Sequence, residues 1–207
     1  MKRTSARSAA VVLSVGLIAC LVYWLWDYRL YWFANNFRVV EAGRIYAGGY
    51  QYPLPLARLL KEYHIKTVLC LRPGDDALDT EEMKLVAASG AEFKRVVLPT
   101  RVSMAVRLAA VEQAVATIAD PNNQPVFLHC WGGFHRTGIV VAVYRIRHCG
   151  WDEETAADEL RRWGGNSHNE TWPLTALHTY CSHTPTTEEP VSGINPPEKS
   201  DSFERKE

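Results

Sequence analysis

Val126-Phe127-Leu128-His129-Cys130-Trp131-Gly132-Gly133-Phe134-His135-Arg136-Thr137-Gly138 is the stretch on which the reading of this chain turns. Its first four residues make a short apolar strand. The next residues form a loop holding two glycines, whose backbone can curl with its amides inward. An apolar helix then runs from Thr137 to His148 and stops at Gly150. A strand followed by a loop and a helix delivers Cys130 to the carboxyl edge of a sheet, where α/β proteins bind ligands. The loop amides and the positive end of the helix converge there into an anion nest. A cysteine in that field is expected to have a depressed pKa and to sit as the nucleophilic thiolate. Arg136 adds a planar fork suited to two oxygens of a phosphate. A nucleophile beneath a cradle for a tetrahedral anion is the geometry of phosphoryl transfer through a phospho-cysteine intermediate.

Outward from this stretch, strands and helices alternate. Phe37 to Tyr46 reads as a short strand pair around Gly43, Lys66 to Leu71 as a buried strand and Glu92 to Leu98 as another. Helical spacing marks Pro53 to Tyr63, Asp79 to Ser89, Ser103 to Ala119, Asp152 to Trp163 and Trp172 to Ser182. The pattern predicts an α/β fold with a mostly parallel central sheet flanked by helices. Residues 184–207, with four prolines and many Ser, Thr and Glu, read as a disordered tail.

The chain has 207 residues, 47% of them hydrophobic, enough for one domain with a real core. Its 23 basic and 23 acidic residues lack the basic excess of a nucleic-acid-binding protein, so no nucleic-acid partner is expected. Five cysteines without a CxxC pair indicate neither a disulfide framework nor a zinc finger. No metal is expected at the site, since His168 and His178 lack ligand spacing.

No charge falls between Ser8 and Trp26. As a helix this run spans roughly 28 Å, near the thickness of a bilayer core. Residues 1–7 form a basic flank, 8–26 read as a transmembrane signal-anchor, 27–38 as an aromatic juxtamembrane segment, and 39–183 as the catalytic domain. A cleaved signal peptide would have a shorter apolar core. Leu17-Ile18-Ala19-Cys20 matches a lipobox, although the sequence stays apolar beyond it. A buried core helix is disfavoured, because nothing amphipathic breaks the run. Lys2, Arg3 and Arg7 favour a cytoplasmic N-terminus, which places the catalytic domain outside the cytoplasm.

The segment His129–Gly138, HCxxGxxRTG, resembles the signature of the cysteine-dependent phosphatases, the protein tyrosine and dual-specificity superfamily. RIYAGG at 44–49, IKTVLCLR at 65–72 and FKRVVLP at 93–99 look like the compact dual-specificity-like branch, over about Val39 to Tyr180. The resemblance implies Cys130 as nucleophile and Arg136 as the phosphate-binding, transition-state-stabilising residue. It implies a Thr137 hydroxyl directed at the sulfur, and His129 orienting the loop and keeping the cysteine ionised. The backbone of Trp131, Gly132, Gly133, Phe134, His135 and Arg136 would form the phosphate cradle. No cofactor is implied. The expected substrate is a phosphorylated protein or a phospholipid, with the membrane as partner through the N-terminal helix.

Relatives carry an Asp about thirty residues before the cysteine as general acid. Here Leu98 to Ser103 has no carboxylate. His135 is the favoured substitute; Asp75 or Asp76 could reach the site, or no residue does this work. A membrane-tethered phosphate-binding pseudophosphatase and a rhodanese-type sulfurtransferase are the competing functions. Cys70 and Cys149 read as packing residues, and Cys181 is open. Trp131 and Phe134 form either an apolar lip or loop packing. Arg72 and Arg101 either extend the positive field or lie solvated on the surface. Glu153, Glu154, Asp158, Glu159, Arg161 and Arg162 read as an exposed helix face.

Overall fold

In the computed structural model, residues 3–74, 77–99, 101–164 and 171–183 are described. Five short strands, β1 (Arg38–Glu41), β2 (Ile45–Gly48), β3 (Thr67–Cys70), β4 (Glu92–Arg95) and β5 (Val126–His129), form one sheet in the order β1-β2-β5-β3-β4. Only the β1–β2 pair is antiparallel; β5 lies centrally, parallel to β2 and β3. The mostly parallel α/β expectation therefore holds. The strand from Glu92 ends at Arg95, three residues short of Leu98.

The described residues form seven α-helices: α1 (Arg3–Trp32), α2 (Pro53–Glu62), α3 (Ala77–Ala88), α4 (Met104–Ala119), α5 (His135–Cys149), α6 (Glu153–Arg162) and α7 (Trp172–His183). Their ends follow local chemistry. Ser103 and Asp152 accept amides of their first turns, and Gly150 closes α5 at φ +70°. The pleat divides the core in two. Leu69, Leu71, Val126 and Leu128 pack toward α4, α5, α6 and α7, while Val68 and Phe127 pack with Leu56, Leu60 and Val86 of α2 and α3. Helix α5 is buried from Thr137 through Tyr144 and forms the axis of the larger layer.

Helix α1 continues through the aromatic stretch to Trp32, and its described side chains from Ala10 to Leu25 are exposed. Among the described residues no helix is long and apolar enough to cross a membrane. The transmembrane span expected at 8–26 is thus not supported by the described helix. The expected tail at 184–207 lies outside the described residues.

Candidate active site

Alternation along β5 decides what lies on each side of the sheet edge. Phe127 and His129 point to the α2–α3 layer, and their rings stack at 5.6 Å. Cys130, one residue further on, joins the opposite layer and is 5% exposed. From there the chain curls through Trp131–Phe134 into α5. Gly133 makes this curl possible. Its φ is +79°, and a Cβ there would stand 2.5 Å from Gly48 and Gly49 backbone atoms. Its amide donates to Cys130 Sγ at 3.3 Å.

A cavity of about 430 Å³ opens above the sulfur, lined by Cys130, Trp131, Gly132, Phe134, His135, Arg136 and Trp172. The structure therefore gathers Cys130, Arg136, His135 and the loop around one opening. His135 and Arg136 supply the ionisable side chains of that lining besides the cysteine. Trp131 and Phe134 are exposed, as a lip would be, and Trp131 also stacks on Tyr50 at 5.6 Å. Asp75, Asp76 and His168 lie outside the described residues, and exposed Arg101 is absent from the cavity lining.

His129 and Thr137 sit fully buried behind the loop. His129 Nδ1 meets the Cys130 carbonyl at 3.2 Å. The Thr137 hydroxyl, expected at the sulfur, donates instead to the Gly48 carbonyl at 3.3 Å. Its position inside the first turn of α5, beside the end of β2, puts that carbonyl within reach.

A buried ionic network backs the histidine. His129 Nε2 stands 2.9 Å from Glu82 of α3. The Cys70 sulfur, the Glu82 carboxylate and His129 have their polar atoms within 4.8 Å of one another. Burial disfavours the charged imidazole, but the Glu82 carboxylate and the Cys70 sulfur outweigh it and raise the His129 pKa to about 10. Burial likewise pushes the Cys70 thiol up, while its hydrogen bond to His129 and that residue's charge bring it below its ordinary value. Cys70 is thus more than the packing residue expected. Arg72 also departs from both expectations. It is 5% exposed, pairs with Asp79, stands 3.9 Å from Glu82 and lies over the Tyr50 and Trp131 rings. The Arg72 guanidinium thus stands beside Glu82, which also forms a direct ion pair with His129.

Three other expectations are resolved. Glu159, placed on an exposed face, is buried and grips Arg145 through two contacts of 3.1 and 3.2 Å, because its side of α6 packs on α5. Cys149 is half-buried, and burial raises its thiol pKa. Burial also pushes the Cys181 thiol up to about 11, with the nearby Glu153 adding to the rise.

The sequence reading missed the residues that hold the loop from outside. Arg38 Nη2 donates to the Gly133 carbonyl, and its guanidinium stacks 4.0 Å over Trp163. Burial lowers its pKa to about 10, partly offset by the nearby Cys130 and Glu159. Asn36 Nδ2 donates to the Gly132 carbonyl at 2.7 Å, and the Tyr50 amide to the Trp131 carbonyl at 2.9 Å. Asn36 and Arg38 lie some 95 residues from their partners, so no local pattern could have revealed them.

With a buried cysteine, an arginine at the helix start and a glycine loop between them, the fold and site define a cysteine-dependent phosphatase architecture. The chain belongs to the tyrosine phosphatase family, whose profile matches residues 33–180. It is 36% identical over 122 residues to the dual specificity protein phosphatase TpbA of Pseudomonas aeruginosa, covering 56% of this chain and 50% of that one. The chain thus spans about half the length of this curated relative. The core catalytic domain of the PP-IP phosphatase SIW14 from S. cerevisiae superposes with a TM-score of 0.62 at 22% identity, over 72% of this chain and 88% of that one. A complex of P. aeruginosa TpbA with pTyr superposes at 0.53 and 22% identity, over 72% and 92%.

Proposed function

We propose that the chain hydrolyses phosphomonoesters through Cys130. The observation that carries this reading is the Gly133 amide on the Cys130 sulfur, at the floor of a cavity that Arg136 also lines. In the first step the sulfur attacks phosphorus, an S–P bond forms and the P–O bond to the leaving group breaks. Loop amides and the Arg136 guanidinium hold the equatorial oxygens, where negative charge gathers in the transition state. His135 gives the leaving oxygen its proton. Water then attacks the phospho-cysteine and releases phosphate, with the same imidazole taking the water's proton.

The substrate class we propose is a phosphorylated protein or a phosphorylated inositol or its lipid. The relatives support both, one by a pTyr complex and one by its description as a PP-IP phosphatase. The uncharged, exposed run on α1 supports attachment of the chain to a membrane, and Lys2, Arg3 and Arg7 before it favour a catalytic domain outside the cytoplasm. The test of the chemistry uses the full chain and a generic aryl phosphate. Release of phosphate by wild type and none by Cys130→Ser is expected; equal turnover by both would overturn the assignment.

A second reading, a phosphate-binding pseudophosphatase, draws on the lack of a carboxylate among the described cavity-lining residues. It predicts saturable phosphopeptide or lipid binding without phosphate release, even from aryl phosphates.

A further inference from the structure

A peptide group is planar, so its C=O and N–H point to opposite sides. Fixing one end of a loop peptide therefore aims the other. The Gly132–Gly133 peptide shows both ends engaged. Its carbonyl accepts Asn36 Nδ2 at 2.7 Å, and its N–H donates to Cys130 Sγ at 3.3 Å. The neighbouring peptide, Gly133–Phe134, has its carbonyl held by Arg38. Glycine at both 132 and 133 leaves the peptide between them little intrinsic resistance to turning over, since neither residue has a side chain to limit φ and ψ.

We propose that Asn36 and Arg38 are positioning residues that hold these two loop peptides with their amides aimed into the phosphate site. They act on the nucleophile through the backbone and touch no substrate. The proposal rests on the phosphatase reading of Cys130 and adds residues to it.

The clamp is itself braced. The Asn35 amide donates to Gln51 Oε1 and the Asn35 carbonyl accepts Gln51 Nε2, each at 2.8 Å. The Gly49 amide donates to the same carbonyl at 2.9 Å. Gln51 is 1% exposed, so the anchor is embedded in the domain. Asn36 adopts φ +48°, a left-handed conformation that asparagine tolerates better than most residues. Its backbone thus turns the side-chain amide toward the loop. Arg38 is fixed differently, with its guanidinium face on Trp163. One donor comes from an exposed turn and the other from a strand, and together they engage consecutive carbonyls.

The full chain is the material for the test, with Asn36→Gly, Asn36→Asp and Arg38→Met. Glycine keeps the left-handed backbone and deletes the donor. Aspartate keeps the shape but sets an acceptor against the Gly132 carbonyl. Competitive inhibition by inorganic phosphate, kcat and KM for an aryl phosphate, and the pH dependence of Cys130 alkylation by iodoacetamide are measured together. Asn36→Gly is expected to weaken phosphate inhibition about tenfold and Asn36→Asp about a hundredfold. Both should move half-maximal Cys130 alkylation to higher pH while the Tm stays near wild type. Arg38→Met should weaken phosphate at least as much as Asn36→Gly. If it fails to fold, the two exposed Asn36 variants decide. Phosphate inhibition and alkylation profiles like wild type in both Asn36 variants would overturn the proposal. An inactive wild type that binds no phosphate would instead overturn the parent reading, and that result is distinguishable because it precedes any variant.

Discussion

Two cysteines occupy nearly the same place in this sheet and have opposite surroundings. Cys70 ends β3 and is in register with His129 on β5; Cys130 is the first residue after β5. Cys70 is fully buried, on the face where Glu82 and His129 meet. Cys130 lies on the other face, under a glycine loop and at the floor of a cavity. Both sulfurs have a favourable electrostatic neighbour, His129 for one and the Gly133 amide for the other. What separates them is access and a cradle for three oxygens. A position at a strand end is therefore not enough to make a nucleophile; the pleat and the loop after it select one thiol over the other.

The largest expected effect tests that contrast directly. Cys130→Ser should reduce aryl phosphate hydrolysis to background, whereas Cys70→Ser should retain turnover. Iodoacetamide followed by peptide mass spectrometry should label Cys130 in the native chain and leave Cys70 unlabelled until unfolding. Native labelling of Cys70 at a comparable rate would dissolve the comparison.

Next in size is the carboxylate behind the histidine. Glu82→Gln leaves a buried imidazolium without its counter-charge, and removing one partner of a buried pair costs about 3–5 kcal/mol. Denaturant unfolding measures this. The pH dependence of the wild type follows from the same pair. His129 has an ordinary pKa of 6.5 and a folded value of about 10. More protons are bound in the folded state between these values, so stability falls as pH rises through that window. The contribution is complete below about pH 6.5 and is lost as pH passes about 10. In Glu82→Gln the slope over this range should flatten; an unchanged slope would remove His129 as its source.

The legible and illegible parts of the molecule divide along the same line. Cys130, Arg136 and the glycine loop could be read because strand, loop and helix are contiguous, and because a phosphate cradle needs those residue types in that order. The parallel sheet was legible from apolar runs such as Val126–Leu128 alternating with helices such as α4. The clamp of Asn36 and Arg38 was not, since its partners lie some 95 residues away. Glu82 drew no reading from the sequence, because only the packing of α3 in the fold directs it inward to His129. Glu159 was misread for the same reason: a helix face with many charges looks solvated until the neighbouring helix supplies Arg145. Thr137 shows the limit of carrying a role across by motif. The residue type matches, but in the structure its hydroxyl donates to the carbonyl at the end of β2.

His135 provides an effect of intermediate size. Among the described residues lining the cavity, it is the side chain chemically suited to pass a proton to a leaving oxygen. General acid catalysis contributes roughly 10²–10⁴-fold when the leaving group needs protonation. His135→Asn should therefore slow hydrolysis of an alkyl phosphate by about a hundredfold. It should change hydrolysis of an activated aryl phosphate much less, because that phenoxide leaves without a proton. Equal losses on both substrates would remove His135 as the acid of the first step and leave it phosphate binding or the water step, both of which serve every leaving group alike.

The smallest effect belongs to Cys70. Cys70→Ser keeps the atom count and leaves a group that can still hydrogen-bond His129, so stability should fall by no more than about 1 kcal/mol. Cys70→Ala removes the sulfur from a fully buried site and leaves a small void; about 1–2 kcal/mol is expected from the lost contacts. In neither variant should kcat/KM change more than about twofold. The reason is that Glu82 remains to keep the imidazole charged when the sulfur is lost. If Cys70→Ala instead shifted the pH profile of turnover, the sulfur would be acting through His129 on the nucleophile. The two cysteines would then be one coupled system rather than a buried residue and a reactive one.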